Sequence, residues 1–171
     1  MIIVYTGNGK GKTTSAIGQA VRSLGEGKKV IMIQFIKGPW RSGEDEFSQK
    51  LKKFLNFQII KGGKGFVGIL GDKLPRSVHK KAAQQTLKLA EKTILSKKYD
   101  LVILDEVNVA IGLKLISEKE VLKVLKKTPD DVDVILTGRN APKKFIDLAD
   151  IATEMKEIKY KFKPVKQGIE Y

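Results

Sequence analysis

The residues Thr6-Gly7-Asn8-Gly9-Lys10-Gly11-Lys12-Thr13-Thr14 constrain this chain more than any other stretch. They follow the apolar run Met1-Ile2-Ile3-Val4-Tyr5 and lead into Ser15-Ala16-Ile17-Gly18-Gln19-Ala20-Val21, which has a helical pattern. A β-branched strand, a Gly-rich turn ending Gly-Lys-Thr and a helix form the context in which a phosphate-binding loop works. Glycines let backbone N–H groups turn inward around an anion, the helix start adds its dipole, and Lys12 brings a mobile positive charge. The Thr13 hydroxyl is suited to a magnesium ion bridging the phosphates. Thr6 stands where the usual pattern has its first glycine, Gly7 comes one residue later, and Lys10 is an additional cation inside the loop. A Gly/Lys-rich surface turn is the bland alternative. The order of strand, turn and helix favours a triphosphate site.

The rest of the chain alternates apolar runs with helical patterns. Strands are predicted at 30–36, 55–60, 101–104, 132–136 and 151–158, and helices at 43–51, 76–96 and up to about residue 148. Ala83, Leu87, Ala90 and Ile94 share one helical face, and Ser117 to Glu120 has the form of a capping box. Asn140-Ala141-Pro142 reads as a cap and an early proline. This alternation predicts an α/β fold of the P-loop NTPase type, with a mostly parallel sheet flanked by helices on both faces. With no repeat or linker, residues 1–171 form one expected domain. Ligands of such sheets sit at the C-terminal strand ends. The loops at 6–14 and 37–43, Asp105-Glu106 and Thr137-Gly138-Arg139 are therefore expected to converge.

Composition narrows the classes. The net charge of +14, from 33 Lys and Arg against 19 Asp and Glu, is compatible with nucleic acid, a membrane surface or an anionic substrate. The lysines are scattered in pairs such as Lys28-Lys29 and Lys80-Lys81, which favours a solvated surface without a nucleic-acid or membrane partner. No apolar run reaches the ~18 residues of a membrane span, and no signal peptide precedes the first strand. The absence of cysteine excludes disulfides, thiolate metal sites and a Cys nucleophile, and fits a cytoplasmic protein.

Asp105-Glu106, after four apolar residues, resembles the second acidic motif that holds magnesium in triphosphate-binding proteins, with an acidic helix cap as the alternative. Spacing leaves open which of the two contacts the ion. Arg139 is either a planar fork for phosphate or a surface arginine, and Arg22 is equally ambiguous. His79, the only histidine, reads as a surface residue beside Lys80-Lys81. Trp40 and Phe66, in Gly-containing loops, could wall a flat hydrophobic ligand or close a small cluster. Residues 61–73 form the one long irregular stretch, of a length more often functional than idle. No Ser-His-Asp set is assembled.

In this order the motifs resemble the ATP:corrinoid (cob(I)yrinic acid a,c-diamide) adenosyltransferase family over nearly the whole chain. The marks are the loop at 5–14, Gln34-Phe35-Ile36-Lys37-Gly38 with Trp40, Leu104-Asp105-Glu106, Thr137-Gly138-Arg139, Ala149-Asp150, Thr153-Glu154-Met155 and Gly168-Ile169-Glu170-Tyr171. The resemblance implies that a corrinoid cobalt, reduced to Co(I), attacks the 5′ carbon of ATP and expels triphosphate. It implies ATP contacts from Gly7, Asn8, Gly9, Lys10, Gly11, Lys12, Thr13, Thr14, Arg22 and Arg139. It further implies magnesium at Thr13 and Glu106 with Asp105 nearby, and corrinoid contacts from Phe66 and Trp40. No side-chain nucleophile is needed, because the reduced corrinoid is the nucleophile, and Lys10 and Lys12 would stabilise the departing triphosphate. An electron donor for the cobalt and a homodimer are further expectations. Two departures matter: Gly68 stands where the family carries a second loop tryptophan, and the strand opens the chain where longer members carry a covering segment. A corrinoid- or ATP-binding protein without turnover, and a P-loop ATPase serving nucleic acid or regulation, are the rival expectations.

Overall fold

The computed structural model describes the chain apart from Pro39, residues 52–55, Leu70, Phe162, Lys163, Val165, Glu170 and Tyr171. In chain order the elements are β1 (Ile2–Thr6), α1 (Lys12–Gly25), β2 (Val30–Gln34), α2 (Gly43–Leu51), β3 (Phe57–Lys61) and α3 (Arg76–Leu95). Then follow β4 (Leu101–Asp105), α4 (Val107–Gly112), α5 (Glu118–Leu125), β5 (Asp133–Thr137), α6 (Lys143–Leu148) and β6 (Ile151–Glu154). The strands form one sheet of order β3-β2-β4-β5-β1-β6, and every neighbouring pair is parallel.

Side chains of successive strand residues point to opposite faces, and the core divides along that alternation. Ile3, Val30, Met32, Leu101, Ile103 and Ile135 pack with Ala16, Ala20 and Leu24 of α1 on one face. Val4, Ile31, Ile33, Val102, Leu104, Val134 and Leu136 pack on the other, against Ala83, Leu87, Ala90 and Ile94 of α3, Val121 of α5 and Phe145 of α6. Every residue of β2 and β4 is buried, as expected of parallel strands covered on both sides. The predicted α3 face is the buried one. The Ser117 capping box is formed in full, worth about 1 kcal/mol to α5.

Boundaries differ where local geometry overrides pattern. β6 stops at Glu154 rather than continuing to residue 158, and position 55 of the predicted third strand lies outside the described residues. α4 has no counterpart in the sequence reading, since six residues are too few to show a helical period. Asn140 does not cap α6: its backbone is left-handed, at φ 54°, and the cap position is taken by the extended Pro142. Among the described residues no helix is long and apolar enough to cross a membrane.

Candidate active site

The turns after β1, β2, β3, β4 and β5 all open at one edge of the sheet, as parallel pairing requires. After β1 the chain enters a left-handed conformation at Gly7 (φ 96°) and again at Gly11 (φ 105°), which directly precedes α1. Glycine takes these angles at little cost. The loop also lies against the segment after β6: Gly9 N–H donates to the Met155 carbonyl at 2.7 Å, and Met155 N–H donates to the Thr6 carbonyl at 2.8 Å. A Cβ at Gly9 would come within 2.8 Å of that Met155 oxygen.

Lys12 is buried at the start of α1, its Nζ donating to the Gly9 carbonyl at 2.5 Å. Burial lowers its ammonium below the usual lysine range, Glu106 opposes that shift, and Arg139 adds to it. Lys10 is exposed, with its Nζ 4.5 Å from the centre of the Tyr160 ring. Asn8 in the loop and Thr14 in the first turn of α1 are exposed.

The acidic motif meets the loop directly. Asp105 is fully buried and its Oδ1 accepts the hydroxyls of Thr13 and Thr137, each at 2.8 Å, while Gln34 Nε2 donates to Oδ2 at 3.2 Å. The Thr137 hydroxyl also accepts the Glu106 N–H at 2.9 Å. Burial pushes the Asp105 carboxyl up, and the hydrogen bonds from Thr13, Thr137 and Gln34 work against that rise, as does the charge of Lys37. Glu106 has a left-handed backbone, φ 61°, a conformation that costs a non-glycine residue about 1 kcal/mol or more. Burial raises its carboxyl to about 7, with Asp105 adding to the rise and Lys12, Lys37 and Arg139 pulling it back.

Among the described residues no three His, Cys, Asp or Glu side chains gather into a metal cage. Thr13, Asp105 and Glu106 nonetheless offer hard oxygens beside the phosphate loop, a donor set that suits Mg²⁺ shared with phosphate.

A second wall stands at β2 and β3. Trp40 and Phe66 are 60% and 43% exposed, with ring centroids 5.5 Å apart. The indole rests on glycines: a Cβ at Gly65 would lie 2.7 Å from it, and one at Gly38 would lie 2.8 Å from both the indole and Gly65. Backbone bonds from Gly62 and Gly63 to the Gln34 carbonyl, and from Gly65 to the Ile36 carbonyl, zip the two loops together. Lys61 Nζ donates to the Trp40 carbonyl and to Asp45 Oδ2, each at 2.5 Å.

The structure thus brings Lys12, Thr13, Asp105 and Glu106 together, and Arg139 is near enough for its charge to act on Lys12 and Glu106. Arg22 is not brought in. It is exposed in the last turn of α1, ten residues beyond Lys12 and so about 15 Å along the helix axis. His79 is not a surface residue, as its sequence surroundings suggest, but is 3% exposed, with Nε2 2.9 Å from Asp72 Oδ2. Thr137 and Gln34 carry hydrogen bonds to Asp105, and the charge of Lys37, whose ammonium pairs with Glu44, acts on Asp105 and Glu106. All three stand in the strand-end motifs, but spacing gives none of them an individual role.

Comparison with known proteins adds a family. The family described as ATP:corrinoid adenosyltransferase BtuR/CobO/CobP matches residues 1–171. A corrinoid adenosyltransferase of Escherichia coli K12 is 35% identical over 162 residues, covering 95% of this chain and 79% of its own. A corrinoid adenosyltransferase of Pseudomonas aeruginosa is 34% identical over 174 residues, covering all of this chain and 83% of its own. Among solved structures, the flagellar accessory protein FlaH of Methanocaldococcus jannaschii superposes with a TM-score of 0.56 at 14% identity, over 90% of this chain and 69% of that one. That likeness is one of fold.

Proposed function

This chain belongs to the ATP:corrinoid adenosyltransferase family, and we infer that residues 1–171 act as one domain that adenosylates a reduced corrinoid at the edge where its strands end. The reaction moves the 5′-deoxyadenosyl group of ATP to Co(I) in adenosylcobalamin biosynthesis or salvage. The cobalt electron pair forms the bond to the 5′ carbon, the carbon–oxygen bond to the α-phosphate breaks, and triphosphate leaves with those electrons.

One observation carries the assignment of residues: the phosphate loop, joined to Asp105 through Thr13, opens at the same sheet edge as the exposed Trp40–Phe66 pair. β1 and β2 are three strand places apart, roughly 14 Å at the usual spacing, a gap suited to an adenosine between triphosphate and corrinoid. The loop N–H groups, Lys10, Lys12 and Arg139 hold the triphosphate and take up the charge it gathers on leaving. Asn8 and Thr14 edge that site. Thr13, Glu106 and Asp105 hold Mg²⁺, which when bound neutralises triphosphate charge. Phe66 and Trp40 pack on the corrinoid face. Alignment of the reacting atoms is then a positioning task, and the attacking group belongs to the substrate. Arg22 has the weakest case, since its place on α1 is remote from the loop. A homodimer, a cytoplasmic location, an external electron donor and no nucleic-acid partner complete the reading.

The test is anaerobic: protein, magnesium ATP and chemically reduced corrinoid, followed by visible spectroscopy and phosphorus NMR. Loss of the Co(I) spectrum, a light-sensitive alkylcorrinoid and free triphosphate are expected. ADP and inorganic phosphate with the corrinoid unchanged would instead indicate a hydrolysing ATPase. Binding of both ligands with no product would indicate lost turnover.

A further inference from the structure

The one histidine of the chain is buried where the site described so far gives it no task. His79 lies in the first turn of α3, with neighbouring residues 73–78 and 80 exposed. Its Nε2 stands 2.9 Å from Asp72 Oδ2, and because a carboxylate only accepts, that nitrogen carries the proton. Asp72 does more than pair with it. The same Oδ2 accepts the Gly68 N–H at 2.9 Å, and Oδ1 accepts the Leu74 N–H at 3.0 Å. One carboxylate therefore gathers both ends of the turn at 68–74 and fixes it to α3.

That turn begins two residues after Phe66, beyond Val67. On the other side of Phe66, Gly65 N–H is bonded to the Ile36 carbonyl at 3.0 Å, and the Gly65 backbone lies under the Trp40 ring. Farther along α3, Thr86 presses on Gly62, where an added Cβ would lie 2.0 Å from its hydroxyl. The aromatic loop is thus pinned to α3 at two points, by Thr86 before Phe66 and by His79 through Asp72 after it. Phe66 itself is 43% exposed, Val67 after it is partly buried against the core, and Gly68 beyond is a left-handed glycine with open space around it that the second pin holds in place.

We propose that His79 and Asp72 are positioning residues for the corrinoid-facing wall, a latch that holds Phe66 against Trp40 in the orientation the substrate meets. This rests on the corrinoid reading of that wall. It predicts that the latch governs corrinoid recognition and leaves the nucleotide half of the site alone.

The sole tryptophan makes the wall directly readable. In the full chain, His79→Ala should lower the fluorescence anisotropy of Trp40 and raise the KM for reduced corrinoid roughly tenfold, with the KM for ATP within about twofold of wild type. His79→Gln, which keeps an N–H donor, should restore most of both. If His79→Ala does not fold, Asp72→Asn on the turn removes one acceptor and should give the same pattern. A folded variant with unchanged Trp40 anisotropy and unchanged corrinoid KM would overturn the latch, and so would equal rises in both KM values. If wild-type protein forms no alkylcorrinoid, the functional reading fails. The Trp40 comparison between His79→Ala and His79→Gln then still decides whether the latch sets the wall.

Discussion

Thr13 donates its hydroxyl to Asp105 at 2.8 Å, joining the first turn of α1 to the end of β4 across 92 positions of sequence. β5 lies between β1 and β4 in the sheet, and its last residue, Thr137, donates to the same carboxylate oxygen. Phosphate loop, acidic motif and Thr-Gly-Arg turn are therefore tied through one buried oxygen. Such a carboxylate is costly to bury, and its hydrogen bonds are what make the burial tolerable.

Asp105→Asn should separate structure from chemistry. Gln34 Oε1 is buried without a hydrogen-bond partner among the described residues, so rotation of its amide lets it accept from the new Nδ2. The melting temperature should stay within about 4 °C of wild type. Turnover should fall on the order of a hundredfold or more, because the charge offered to magnesium is gone. Thermal melts and the anaerobic assay together check this; unaltered turnover would remove Asp105 from the site.

Lys12→Ala should weaken ATP binding and turnover by on the order of a hundredfold, since this ammonium is enclosed by the loop and donates to the Gly9 carbonyl. Lys12→Arg should not rescue it. A planar guanidinium does not fit where a single Nζ sits 2.5 Å from a backbone oxygen. Nucleotide titration and steady-state rates give the answer, and wild-type values in Lys12→Ala would count against a phosphate cradle.

Much of this was written in local sequence. The loop at 6–14, the capping box at Ser117 and the continuous burial of β2 and β4 each depend on neighbours within a few residues. What escaped depends on register or on a chain reversal. Thr137 and Gln34 matter because parallel strands place them beside Asp105, a relation absent from either segment alone. His79 is followed by lysines, the setting of a surface residue, yet the chain turns so that Asp72, seven positions earlier, pairs with it at a buried place. Arg22 is only ten residues from Lys12 in sequence, but α1 carries it about 15 Å along the helix axis.

Trp40→Ala and Phe66→Ala should each raise the KM for corrinoid by about tenfold with little change in that for ATP, since an exposed aromatic pair contributes area and ring geometry to a flat ligand. Their effects should not add, because each ring orients the other. Additive losses in the double variant would mean that the two rings act separately.

Gly7→Ala should be a folding defect first. Its φ of 96° is unfavourable to alanine, and the new Cβ would lie 2.4 Å from the Met155 carbonyl oxygen, a backbone atom that cannot swing aside. Displacing that strand-end segment breaks its bonds to Thr6 and Gly9. A loss of about 2 kcal/mol or more is expected from strain and lost backbone bonds, seen in denaturant titration before any activity is measured. Gly18→Ala, a helical site with nothing within 4 Å of the added atom, is the matched control and should be neutral or slightly stabilising.

Acid should release the Trp40 wall before the sheet. Burial pushes the Asp45 carboxyl up, but the hydrogen bonds from Lys61 and Ser42 outweigh it and hold the group below its ordinary value. Glu44 is held low in the same way, burial again being outweighed by Lys37. For a lowered carboxyl the stabilisation is complete above the unfolded value, about 4, and is lost as pH falls through the folded one. Protonating Asp45 loosens Lys61, whose other bond is to the Trp40 carbonyl. Trp40 emission should therefore change below about pH 4 while far-UV circular dichroism still reports the native sheet and helices. Asp45→Asn should show the altered emission already at neutral pH. Emission that stays constant until the secondary structure itself collapses would mean that Lys61 does not couple Asp45 to the wall.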